Sequence, residues 1–232
     1  MVTKGDKESA PRLVRVDLNE QAYGWLRERI ITRQFGPGER LGLQGLADEL
    51  GVSRSPVHQA LTRLVSDGLV TVSRRGYAVR PITTQLVRDA LDARLALEVF
   101  AARSAATELA PGKLARLREL LVATLAPVEN EHFTDKTAYL DANRAFHEAI
   151  ADLPGNEVIS EMYRRLNVHQ LVDRAMLGLP STEAGASTAE HIEIVEAIAA
   201  HDAPRAAAAV EANVLTGRRL TVAAIELAGG VL

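Results

Sequence analysis

Asn143 and His147 stand four residues apart, a spacing that puts both side chains on one face of a helix. His191 lies beside Ile192, Ile194 and Val195, and Asn213 lies among Ala209, Val210 and Val214. Both are therefore polar residues on faces that the pattern predicts to be apolar. Imidazole nitrogens and amide carbonyls from three helices could surround one divalent cation. An isolated core His or Asn is more commonly just hydrogen-bonded, and on spacing alone that reading is the stronger. Arg94 and Arg174 are candidates to pair with an anionic ligand, because guanidinium binds carboxylates through two parallel hydrogen bonds. The competing reading for both is a structural ion pair, for example Arg94 with Glu98 at i+4, and for Arg174 it is the stronger.

A second group of residues suits phosphate and base edges. Ser53, Arg54, Ser55, His58, Gln59, Thr62 and Arg63 share the polar side of a predicted helix. Its other side carries Val57, Ala60, Leu61, Leu64 and Val65 at i, i+3, i+4, i+7 and i+8, one buried stripe. Arginine at the N-terminal end of such a helix can read guanine from the major groove. The helix N-terminus and serine hydroxyls suit phosphate oxygens. Arg74, Arg75 and Gly76 form a basic tip between strand-like runs at Leu69–Ser73 and Tyr77–Arg80.

The elements that must position these residues fall into two units. Residues 1–12 read as a disordered tail, and Asp17 as the cap of a first helix. Residues 13–81 give helix, short helix near Gln44–Leu50, tight turn at Gly51, helix capped by Ser53, then hairpin. Residues 84–232 show only helical periodicity. Six helices are expected there: Thr84–Leu109, Gly112–Asn130, Asp135–Leu153, Asn156–Leu177, Thr188–Ala200 and Pro204–Ala228. Leu177–Thr188 is rich in Gly, Ser and Thr and is the expected mobile loop. The predicted fold class is mainly α, a winged helix-turn-helix followed by a six-helix antiparallel bundle.

Composition narrows the function classes. The 232 residues are 47% hydrophobic and 25% charged, suited to globular cores. No cysteine is present, which removes thiolate metal sites and fits a cytoplasmic location. The polar N-terminus has no signal-peptide core, and no apolar run suggests a membrane partner. Residues 1–81 hold 13 Lys/Arg against 9 Asp/Glu, and the remainder 14 against 21, so the basic charge lies in front. Enzyme motifs are incomplete. His147-Glu148 begins H-E-x-x-H, but position 151 is Ala; His191-Ile192-Glu193 lacks the cysteines of a zinc deaminase. The chain reads as a non-enzyme.

The run FGPGERL at 35–41, LADELGVSRSPVHQALTRLVSDGLV at 46–70 and RRGYAV at 74–79 resembles the DNA-binding domain of the GntR regulators. That resemblance implies DNA contacts at Ser53, Arg54, Ser55, Pro56, His58 and Gly76. Where the family usually has Arg, this chain has His58, which is shorter and lacks the guanidinium fork. The order Arg94-Leu-Ala-Leu-Glu98, NRAFHEAI, PGN, EHIEIVEAI and a long last helix resembles the FCD effector domain. Six helices rather than seven would place it with the VanR-like subgroup. The resemblance implies a divalent metal, of zinc or nickel type, at Asn143, His147, His191 and Asn213. Asn213 stands where the third family histidine is expected, so the set brings no negative charge. Three arrangements follow: a weakly bound metal completed by a carboxylate effector, substitution by His169, or a metal-free cavity in which Arg94, Arg174, Asn143, His147 and His191 hold the effector directly. The implied partners are a pseudo-palindromic double-stranded operator, a small organic acid and a second copy of the chain, with repression the expected direction.

Overall fold

The computed structural model describes residues 18–110, 112–177 and 185–232. The expected tail, the Asp17 cap and residues 178–184 of the expected loop lie outside the described residues.

Three helices build the first unit. In α1 (Leu18–Ile31), Ala22, Leu26 and Ile30 recur every fourth residue and are buried. Gly51 ends α2 (Leu43–Leu50) in a left-handed conformation, φ 65°, that a Cβ would strain. That turn aims α3 (Arg54–Ser66) across the other two. Val57, Ala60, Leu61 and Leu64 are its buried stripe, as the pattern predicts. Ser53 occupies the N-cap position, but its side chain makes no capping hydrogen bond. A wing follows. Strand β1 (Arg40–Leu41) joins β2 (Val70–Ser73) and β3 (Gly76–Val79) in an antiparallel sheet of order β1-β3-β2. Val70 pairs with Val79 and Ser73 with Gly76. Strand β1 is too short to show a period of two, so the sequence pattern predicts only the hairpin. Leu26, Ile30, Val57, Leu61, Leu64 and Val79 are fully buried together. Each contributes about 1.5–3 kcal/mol by leaving water.

The second unit is α4 (Thr84–Thr107), α5 (Lys113–Leu125), α6 (Lys136–Asp152), α7 (Glu157–Arg165), α8 (Val168–Met176), α9 (Gly185–Ala199) and α10 (Ala203–Leu227). Its core is alanine-rich. Ala101, Ala102, Ala105 and Ala106 of α4 sit with Ala206, Ala209 and Val210 of α10, so the two long helices approach closely. Asp202 caps α10, and Pro204 stands in its first turn. The bundle architecture stands, but the expected helix count is corrected to seven among the described residues. The predicted Asn156–Leu177 helix breaks at Asn167, whose φ is 49°. Asparagine tolerates this conformation, and Asn167 Nδ2 donates to Ser66 O of the first unit at 3.0 Å. A count of six therefore no longer points to the VanR-like subgroup. Two further boundaries differ. The predicted Gly112–Asn130 helix stops at Leu125, and β4 (Val128–Glu129) pairs with β5 (His132–Phe133) across Asn130-Glu131, both with positive φ. Helix α9 begins at Gly185 rather than Thr188.

The connection after β3 is pinned to the second unit, and side chains of that unit bond the backbone of the first. Ile82 and Leu232 exchange two backbone hydrogen bonds, 2.7 and 3.0 Å. Arg174 Nη1 donates to Arg80 O at 3.1 Å. No helix among the described residues is long and apolar enough to cross a membrane.

Candidate nucleic-acid interface and bundle cavity

Ser53, Arg54, Ser55, His58 and Gln59 are exposed together along the first turns of α3. Arg54 Nε donates to Gln44 Oε1, and Gln44 Nε2 donates to Asp48 Oδ1 at 2.7 Å. Helix α2 thus aims the guanidinium while its other nitrogens face solvent. Gln44 carries no sequence signal for this role beyond lying on the adjacent helix. Arg74, Arg75 and Gly76 are exposed at the wing tip, where Gly76 has φ 95°. The His58 ring meets the Tyr77 ring edge to face at 6.0 Å, which ties the recognition helix to the wing. Two expected contact residues lie elsewhere. Pro56 is buried, because it shares the inward face with Val57 and Ala60. Arg63 lies over the Tyr23 ring at 3.8 Å and pairs with Glu20 at 2.6 Å, so α1 holds it within the unit.

His58→Arg tests the base-reading role of position 58. Arginine there is expected to shift the preferred operator sequence, with discrimination of about 1–3 kcal/mol at the base it reads. Selection from randomised DNA measures this; identical selected sequences for both proteins would count against the role.

In the bundle, Arg94 and Glu98 of α4 form a buried ion pair, Nε to Oε1 at 2.7 Å. Glu98 is wholly buried and collects further partners: Tyr163 Oη donates to Oε1 at 2.5 Å, and His147 Nδ1 lies 3.0 Å from Oε2. Burial opposes its ionisation, but Arg94, aided by His147 and Tyr163, outweighs burial and holds the carboxyl far below the usual range. The carboxylate can only accept, so it assigns the protons around it. His147 carries its proton on Nδ1 and presents a lone pair on Nε2. His191 Nε2, 3.2 Å away, must then be the donor to it. His169 Nε2, 2.9 Å from Tyr163 Oη, donates to that oxygen. Burial lowers the pKa of all three histidines, keeping them neutral. Three buried atoms are left over: Arg94 Nη2 as a donor, and Nδ1 of His169 and His191 as acceptors.

A cavity of about 50 Å³ adjoins this network, lined by Arg94, Tyr139, Asn143, His147, Asn213 and Thr221. Sequence spacing brought Asn143, His147, His191 and Asn213 to the right region. Glu98 was legible only as the i+4 partner of Arg94, and Tyr163 carried no signal at all. Arg174 does not line this cavity. It lies at the junction of the two units, where burial lowers its pKa to about 10.

A zinc- or nickel-type ion does not fit this donor set. Both oxygens of Glu98 are taken. Asn213 Nδ2 donates to Glu190 at 3.1 Å, so only its neutral amide oxygen could face an ion. Binding through both facing Nε2 atoms would break the His147–His191 bond and move the His191 proton to Nδ1, which has no acceptor. Among the described residues, no group of three or more His, Asp or Glu is placed to hold a metal.

At the junction, Asp173 accepts from Arg144 Nη2 at 3.0 Å, and Arg144 also pairs with Asp141. Burial, reinforced by Asp141, outweighs Arg144 and Arg27 and raises the Asp173 carboxyl to about 7. The folded chain therefore holds a proton that the unfolded chain releases near pH 4. The stability this group contributes at low pH is lost as pH rises through about 7. Asp173→Asn is expected to raise the melting temperature at pH 8 and to change it less at pH 5. Equal shifts at both pH values would contradict the burial assigned to Asp173.

Comparison with known proteins follows this division. Residues 18–79 match the family model for bacterial regulatory proteins of the gntR family, and residues 89–215 match the FCD domain. The chain is 30% identical over 148 residues to the uncharacterized HTH-type transcriptional regulator YdhC of Bacillus subtilis, covering 63% of this chain and 65% of the relative's length. It is 30% identical over 202 residues to an HTH-type transcriptional regulator from an unstable DNA locus of Streptomyces ambofaciens, covering 82% and 79%. A crystal structure described as a transcriptional regulator GntR from Rhodococcus sp. RHA1 superposes with a TM-score of 0.66 at 26% identity, over 88% of this chain and 97% of that one. These are regulators rather than enzymes. The chain belongs to the gntR family of bacterial regulatory proteins and is a DNA-binding transcriptional regulator with an FCD domain.

Proposed function

We propose that this regulator is a cytoplasmic, homodimeric repressor whose bundle cavity takes a small organic acid without a metal. The observation that carries the reading is Arg94 Nη2, a buried guanidinium donor with no partner beside a cavity. Buried polar groups are rarely left unmatched, and a charged one is the most costly to leave so. A ligand carboxylate supplies the missing acceptor and a charge opposite to that of Arg94. Asn143 lines the same space, and its amide can orient the acid's second oxygen. The small volume favours an acid of few carbons.

Two copies would place their α3 helices in successive major grooves, about 34 Å apart. One winged head offers little surface for specificity, and symmetric doubling adds contacts and half-site spacing. Helix α4 carries Arg94 and starts five residues after β3, so a shift of α4 moves the head directly. A coupling of about 1–3 kcal/mol between acid and operator is the expected scale. Calorimetric titration of acetate, malonate and succinate tests the site. Binding of at least one acid is expected in the presence of EDTA and weakened by Asn143→Ala. Binding only with added metal would overturn the metal-free reading.

A further inference from the structure

A space larger than the bundle cavity lies outside the bundle. A cavity of about 570 Å³ lies between the two units, walled by α1 on one side and by α6 and α8 on the other. That volume is in the range of small-molecule sites, roughly 300–1,000 Å³. Three buried polar atoms without partners occur on its lining residues: Arg144 Nε, Gln170 Oε1 and Asp173 Oδ1. Folded proteins leave few such atoms, and here three fall on one cavity wall. Ile31, Leu69 and Leu140 supply an apolar surface.

Gly24 adds an independent observation. It stands in the middle of α1, where glycine costs roughly 1 kcal/mol against alanine. A Cβ built there meets nothing within 4 Å, so packing does not demand glycine. A larger side chain at this lining position would instead take up cavity space.

The wall chemistry indicates the ligand. Of the three unmatched atoms, Gln170 Oε1 accepts, Asp173 Oδ1 accepts once its carboxyl ionises at about pH 7, and Arg144 Nε donates. Four carboxyl groups line the cavity (Glu20, Glu28, Asp141 and Asp173) against three guanidinium groups, Arg27, Arg144 and Arg174, so the wall carries an excess negative charge above pH 7, where Asp173 is ionised. We propose that this interunit cavity is a second ligand site, taking a small molecule with an amino group on an apolar body. The amino N–H groups would satisfy Asp173 Oδ1 and Gln170 Oε1, and the body would cover Ile31, Leu69 and Leu140. A ligand held by α1 and α8 together fixes the head against the bundle. The site is separate from the acid cavity beside Arg94, with which it shares only Leu140 among the lining residues.

Benzylamine is the probe, with benzoate as the control of opposite charge, each titrated into the full chain and followed by calorimetry. Benzylamine is expected to bind, and benzoate at least about tenfold more weakly. At pH 8, above the Asp173 value of about 7, Gly24→Leu fills the space and Asp173→Asn removes the charge; each should weaken benzylamine about tenfold or more. Melting curves establish that each variant is folded, and Gln170→Leu replaces Gly24→Leu if the latter is not. Failure of benzylamine to bind, unchanged binding in folded Gly24→Leu or Gln170→Leu, or preference for benzoate would each overturn the proposal.

Discussion

Arg54→Ala is expected to abolish specific operator binding while leaving the protein folded. Arg54 stands exposed at the first position of α3 and is aimed by Gln44. A bidentate contact from arginine to guanine discriminates by about 1–3 kcal/mol. In the proposed dimer the loss occurs twice, so specific affinity should fall by roughly 2–6 kcal/mol, on the order of 30-fold to 10⁴-fold. Stability should hardly change, because the side chain packs against nothing buried and surface substitutions stay within about 0.5 kcal/mol. Fluorescence anisotropy with operator DNA, beside a melting curve, measures both. Unchanged operator affinity would remove α3 as the reading helix.

Glu98→Gln is expected to cause the largest loss of stability in the bundle. The substitution keeps the shape of the side chain and removes its charge. Arg94, only 4% exposed, would then carry an uncompensated buried charge. Tyr163 and His147 would both still direct donors at a group that can no longer accept from all three partners. Breaking a buried ion pair by removing one partner costs about 3–5 kcal/mol. Urea denaturation should show this shift, and a loss under about 1 kcal/mol would mean that the pair is solvated. The pair of Arg165 and Glu161 is shorter, 2.5 Å, yet exposed. Its loss should go almost unnoticed, since water screens such pairs.

Local pattern made much of the fold legible. The α3 stripe from Val57 to Leu64 is buried as its spacing requires, and the Asp202-Ala203-Pro204 start of α10 is read from cap chemistry alone. What was not legible depends on partners distant in the chain. The break at Asn167 interrupts a good helical pattern because its side chain reaches Ser66, 101 residues away. Strand β1 is two residues long and exists by pairing with β3. Arg174 looked like a residue of the bundle cavity, but the turn of α8 delivers it to Arg80 at the junction. The Asn143–His147 spacing placed both on one buried face. It could not reveal that Glu98 would engage His147, or that Glu190 would engage Asn213. Those bonds fix the protons and the amide orientation of the buried polar core, and they join residues 49 and 23 positions apart.

The most direct test of the whole account is operator affinity measured by anisotropy with and without the acid that binds the bundle, in EDTA throughout. Acid is expected to weaken operator binding about 5-fold to 150-fold, and to do so without metal. Operator affinity that is the same with and without acid, or that responds only when a divalent metal is restored, would contradict it.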